Sequence, residues 1–138
     1  MNKIFSTVLP PRYGHLALLV LRVVAAIFLL THGWPKLQRL LSGEEIQFID
    51  PFGLGQTASF VLIMFAEVVC SILVIIGLAT RLAAIPPVIG MATAVLVAHA
   101  NDPFGMKEKP LLFLLIFAFL IVYGAGRYSV DRMIEGRR

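Results

Sequence analysis

Four apolar blocks, at about 16–34, 57–79, 82–100 and 110–126, alternate with short polar stretches. A helix that crosses a bilayer needs roughly 20 mostly apolar residues. The pattern therefore predicts an all-α polytopic membrane protein, a bundle of four transmembrane helices in a single domain over 1–138. The first block, Leu16 to Leu37, organises the rest. It carries Arg22 inside its apolar run and His32 and Lys36 at its far end. At about 100° per residue, Arg22, His32, Gly33 and Lys36 fall on one side of the helix. An ionisable residue inside a spanning helix costs roughly 2.5–3.5 kcal/mol on insertion scales. That side is expected to face other helices.

Proline and glycine mark the element ends. Pro10 and Pro11 keep the first helix from starting earlier. Beyond Pro35 the run from Lys36 to Leu41 keeps a helical rhythm, and Gly43 is the expected stop. Span two carries Glu67 near its centre, and Thr80-Arg81 makes a tight link to span three. Span three has Pro86-Pro87 in its first turns and closes at His99. Asp-Pro-Phe-Gly occurs twice, at Asp50 and at Asp102, each time before an even-numbered span. A two-helix internal duplication would explain the echo; two independent type I turns would explain it equally well.

Charge adds an orientation. With four spans, Lys3, Arg12, Arg81, Arg127, Arg132, Arg137 and Arg138 share one side, and Lys36, Arg39, Lys107 and Lys109 share the other. The positive-inside bias then puts both termini in the cytoplasm. The composition agrees with the blocks: 59% of the residues are hydrophobic, against 45–50% in soluble domains, and the mean hydropathy is +0.88. The net charge of +4 sits in loops and tails, so nucleic acid is not an expected partner. Cys70 is the one cysteine, which excludes an intramolecular disulfide and a C-x-x-C pair. The first span, with Arg22 inside it and no small-residue cleavage site, reads as retained.

The candidate chemistry is sparse. Arg22 and Glu67 lie in consecutive, antiparallel spans, and a bidentate guanidinium–carboxylate contact would offset both burial costs. The leading expectation is a structural Arg22–Glu67 ion pair. Two alternatives stay open: Arg22 reaching to the headgroups, and Glu67 serving as a proton or ligand group in a polar pocket. His32, Lys36, His99 and Glu108 should lie near the outer surface. They read either as groups that bond helix ends or as a small-molecule site. The ligand-binding candidates are thus Arg22, His32, Lys36, Glu67, His99 and Glu108. Two histidines are too few to assign a metal. No nucleophile–base triad, phosphate loop or haem ligand pair is present, so no catalytic residue is assigned and the question of an enzyme stays open.

Four motifs in order resemble the DoxX family of small four-helix membrane proteins. They are L-R-V-V-A-A-I-F-L-L-T-H-G-W-P-K-L in span one, A-E-V-V-C-S-I-L-V-I-I-G-L-A-T-R-L-A-A in span two, the run closing at His99, and the final G-A-G-R-Y-S-V-D. The resemblance implies a four-helix inner-membrane bundle and an accessory subunit of a quinone-linked redox or oxidative-stress system. Quinone is the candidate cofactor; the bilayer, redox-enzyme subunits and further copies of the chain are the candidate partners. A small-molecule permease acting as an oligomer and a ligand-free assembly factor are the alternatives. Carried over by position, the family's polar membrane residues are Arg22, His32, Lys36, Glu67 and His99, and its close contributes Gly124, Gly126, Ser129 and Asp131.

Overall fold

The structure, a computed structural model, describes residues 10–136. Lys3, Arg137 and Arg138, which entered the orientation argument, lie outside them. The elements in order are α1 (Pro11–Ser42), α2 (Gln56–Ile76), α3 (Thr80–Ala83), α4 (Ile85–Thr93) continued by a π-helical segment (Ala94–Ala98), α5 (Phe104–Tyr123) and α6 (Val130–Glu135). No strand occurs among the described residues. Three stretches are long and apolar enough to cross a membrane: Pro11–Ser42, Gln56–Ile76 and Thr80–Ala98. In α5, Lys107, Glu108 and Lys109 sit within the first two turns, and only Pro110 to Tyr123 is free of charge.

Helix α1 begins with Pro11 in its first turn, where the missing N–H costs nothing, and ends at Gly43 in the left-handed conformation, φ 74°. It runs unbroken through Pro35, so His32 is an interior residue of α1, ten positions before its end. Its buried residues are Arg22, Ala25, Ala26, Leu29 and Gly33. The spacing from Arg22 through Ala26 and Leu29 to Gly33 is four, three, four, the repeat of a helix seam. That seam packs along α2. At Gly33 the backbones come closest: a Cβ there would lie 2.7 Å from Glu67 Cβ and from Val68 Cγ2. Only glycine admits this approach, and it sets the height at which Glu67 meets α1.

Span three is not one regular helix. Pro86 and Pro87 cannot donate to the carbonyls of Leu82 and Ala83, so the helix breaks at Ala84 and restarts at Ile85. Further on, the His99 N–H bonds to the Ala94 carbonyl at 2.9 Å, five residues back. Helix α2 packs on α4, α4 on α5, and α5 returns to α1. Ala26, Leu29, Val74, Ala84, Phe117 and Leu120 are fully buried between them. Large apolar side chains on the outside, Leu115 and Val122 among them, are exposed as lipid-facing positions would be.

Arg22 governs one end of this assembly. It is 1% exposed. Its Nη1 donates to the Ala125 carbonyl at 2.5 Å, and its Nη2 donates to the carbonyls of Tyr128 at 2.9 Å and Ile75 at 3.4 Å. Ile75 belongs to the last turn of α2, whose carbonyls lack helical partners and carry the negative end of the helix dipole. The C-terminal segment is latched from its other side by Asp131. Its carboxylate accepts the N–H groups of Ala79 at 2.6 Å and Thr80 at 2.9 Å. These bonds hold Ala79 at φ 48°, the one non-glycine residue at positive φ among the described residues. Gly77, at φ 73°, lies under the same cluster, and a Cβ there would stand 2.6 Å from Ser129 Cβ and 2.8 Å from Arg22 Nη1.

The two Asp-Pro-Phe-Gly copies act differently. Asp50 accepts the N–H groups of Leu54 and Gly55, both at 2.9 Å, and the Ser59 hydroxyl at 3.0 Å. Asp102 bonds back to His99 Nδ1 at 2.7 Å, and Pro103 stands directly before α5.

Replacing Arg22 by leucine should free the segment from Gly124 to Gly136. Removing a charged donor from buried carbonyls costs roughly 1–3 kcal/mol for each group left unpaired. Trypsin should then cut at Arg127 faster in Arg22→Leu than in the native protein, at equal detergent and temperature. Unchanged cleavage would show that the latch holds without Arg22.

Candidate functional site

Lys36 lies 14 residues beyond Arg22, close to four turns, and so projects from nearly the same face of α1. Its Nζ donates to Glu67 Oε2 at 2.5 Å and to the His32 carbonyl at 3.3 Å. Glu67 is 4% exposed in the middle of α2. The expected Arg22–Glu67 pair is therefore corrected: the carboxylate pairs with Lys36, and the guanidinium serves backbone carbonyls. The reason is axial distance. Arg22 meets α2 at Ile75, eight residues, or about 12 Å, from Glu67 along the helix.

The Lys36–Glu67 pair stands in the wall of a cavity of about 570 Å³ between α2, α4 and the loop before α2. Leu62, Ile63 and Phe65 of α2, Ile89 and Met91 of α4, and Phe48 and Phe52 of the loop make it chiefly apolar. Gly90 also lines it, where a Cβ would come within 2.5 Å of Ile63 Cδ1. Ala94 and Ala98 bring the π-helical segment to the same wall, and His99 lies at its end. Departures from α-helical winding of this kind occur often at functional sites. Asp50 braces the loop. Its carboxyl is held below the usual carboxylate range, first by the Gly55 N–H and with help from the Ser59 hydroxyl. That brace is in force above the ordinary carboxylate pKa and is lost only as the pH falls through the lowered one.

Of the six candidate residues, the structure brings Lys36, Glu67 and His99 to this cavity. Arg22 is at the opposite end of α2. His32 packs edge-on against Phe113, with ring centroids 5.9 Å apart, and lines a groove between α1 and α5 with Lys109. Glu108 is exposed on the first turns of α5. The apolar loop residues, the Asp50 brace and the π-helical segment were not singled out from the sequence. The first Asp-Pro-Phe-Gly copy, whose Pro51 and Phe52 line the cavity, is the sequence signal that lies in this region. Among the described residues no three His, Cys, Asp or Glu side chains converge as a metal site would require.

A chain with several bilayer-length helices and, among the described residues, no strand is a multi-pass membrane protein. The DoxX family model matches residues 17–100, which include Arg22, His32, Lys36, Glu67 and His99, and the chain belongs to that family. It is 30% identical to "Putative oxidoreductase CatD" of Bacillus subtilis (strain 168), over 84% of this chain and 85% of that protein. It is 35% identical to "Uncharacterized membrane protein Rv3486" of Mycobacterium tuberculosis, over 51% of this chain and 52% of that protein, so the match spans about half of that relative. No solved structure matches.

The ion pair generates a prediction. Lys36→Met leaves the Glu67 carboxylate buried without its partner and should destabilise the protein by about 3 kcal/mol, the lower end for a broken buried pair because the lysine is partly exposed. The double variant Lys36→Met/Glu67→Leu should recover most of that loss. Thermal unfolding in one detergent checks both. A double variant as unstable as the single one would show that the pair is not the interaction holding Glu67.

Proposed function

We propose that this protein is an accessory membrane subunit of a quinone-linked redox system, and that the cavity between α2 and α4 holds a quinone or another small lipophilic molecule. The observation that carries the reading is an apolar cavity with one compensated ion pair in its wall. Apolar walls accept the ring and tail of a lipophile, and a few fixed polar groups orient its head. The Lys36 ammonium can donate to a carbonyl oxygen, and the Glu67 carboxylate can accept from a hydroxyl, so one site serves a quinone and its reduced form. The naming of the Bacillus subtilis relative as an oxidoreductase supports the redox setting.

The same reading takes the whole chain as one inner-membrane four-helix bundle with α5 as its fourth span. Helix α5 has 20 residues, about 30 Å at 1.5 Å each, with Lys107 and Lys109 reaching outward to the headgroups. Both termini are then cytoplasmic, and the Lys36–Glu67 pair lies toward the outer leaflet. Redox-enzyme subunits and further copies of this chain are the partners this arrangement would take.

Mass spectrometry of small molecules that copurify in native lipid should find a quinone with the native protein. Ala94→Phe, which fills the cavity from the π-helical segment, should lose it without loss of fold. Retention of the same molecule by the filled variant would refute the site, and recovery of lipids alone would refute the ligand.

Topology is tested separately. A periplasm-active reporter fused after Arg138 should be silent and the same reporter inserted at Gly43 active; the reverse pattern would refute the orientation.

A further inference from the structure

The other end of the molecule holds a second cavity, of about 890 Å³ and largely polar, that the reading above does not use. Four separate elements supply its cationic or titratable basic side chains: His15 from α1, Arg81 from α3, Arg127 from the Gly124–Ser129 segment and Arg132 from α6. Two carboxylates line it as well, and both are already engaged. Asp131 has its oxygens on the Ala79 and Thr80 N–H groups and stands near the charge of Arg22 behind it. Glu135 bonds Arg132 at 2.9 Å. Arg81 and Arg127 have no hydrogen-bond or carboxylate partner among the described residues. Arg81 lies along the backbone at Gly124, where a Cβ would come within 3.1 Å of its Nε. A side chain at that position would press on the guanidinium and make it give by a few tenths of an ångström.

We infer that this cavity is an anion site for a phosphate group, held by Arg81 and Arg127. Guanidinium presents paired N–H donors that match phosphate oxygens two at a time, and it holds its charge at any physiological pH. The cavity lies where α1 begins and α2 ends, at a boundary between apolar helix and polar segment. Two sources share this chemistry there: the headgroup of an anionic phospholipid, and a free phosphate or phosphate ester. Cations that only orient a chain in the membrane need no cavity and no geometry beyond charge.

Native mass spectrometry of the full chain, with phosphatidylglycerol and phosphatidylcholine of matched acyl chains, tests the lipid source. Thermal unfolding with added inorganic phosphate, against chloride at equal ionic strength, tests the free one. The native protein should prefer phosphatidylglycerol. Arg81→Gln and Arg127→Gln should each weaken that preference about fivefold, as expected for one cation near an anionic headgroup. Arg81→Lys should restore only part of it, because the charge returns without the paired donors. Arg12→Gln, at an exposed cation outside the cavity at the same end of α1, should leave it unchanged. Stabilisation by phosphate that is lost in both glutamine variants, without lipid preference, would place the site with the free anion. Absence of both responses in the native protein, or responses equal in the glutamine variants and in Arg12→Gln, would overturn the site. Both arginines are exposed, so the glutamine variants should fold; a circular dichroism spectrum matching the native one confirms that before binding is read.

Discussion

A guanidinium in the interior of a membrane protein must find acceptors, and the place where Arg22 finds them determines how the chain closes. Its three carbonyl partners come from the end of α2 and from the segment after α5. One side chain on α1 therefore ties together two parts of the chain 53 and 106 residues away from it. The C-terminal segment docks little of its apolar surface: Tyr128, Met133 and Ile134 are exposed. Charge-assisted bonds to backbone carbonyls supply what hydrophobic burial does not, and Asp131 repeats the device with the opposite sign on backbone N–H groups.

The two ionisable residues on the α2-facing side of α1 thus have opposite duties. Arg22 meets dipoles that stay in place whatever is bound, and its bonds are structural. Lys36 meets a single carboxylate and keeps a quarter of its side-chain surface open, 26% against 5% for Glu67. A bond between two side chains can be rearranged by a ligand more readily than bonds to a folded backbone. Gly33 fixes the spacing between α1 and α2 that makes this contact.

Much of the fold was legible in the sequence, because it is written in element lengths and stop signals. The start at Pro11, the stop at Gly43 and the apolar blocks are local consequences of backbone freedom and hydrophobicity, whereas span two, read to Ala79, stops earlier, at Gly77. What the sequence hid was geometry between elements. Arg22 and Glu67 looked complementary because side-chain charges are visible in a sequence, whereas the carbonyls at a helix end are not. The break at Ala84 was half legible: Pro86-Pro87 marked it, but not that the helix would restart at once. The π-helical turn at Ala94 to Ala98 left no mark in a run of alanine, valine and leucine. Of the candidate site, the ion pair's residues were legible and their pairing was not.

The electrostatic contrast between the two cavities separates the ligands they can take. In the cavity beside α2 and α4, the Lys36 ammonium has its opposite charge in contact in Glu67, and the His99 ring is hydrogen-bonded to Asp102 at 2.7 Å. A site compensated in this way gives little net attraction to an ion, and an ion entering its apolar walls would still lose its hydration. A neutral molecule with one polar end loses little, because its head can share the bonds of the pair while its body replaces no water of value. At the other end, Arg81 and Arg127 remain unmatched beside a polar wall open to water, and there an anion gains charge pairing without entering an apolar interior. The reading of the first cavity as a site for a neutral lipophile and of the second as a site for phosphate therefore follows from one rule. A site selects for the charge it leaves unbalanced, and where it leaves none, it selects for shape and apolar surface.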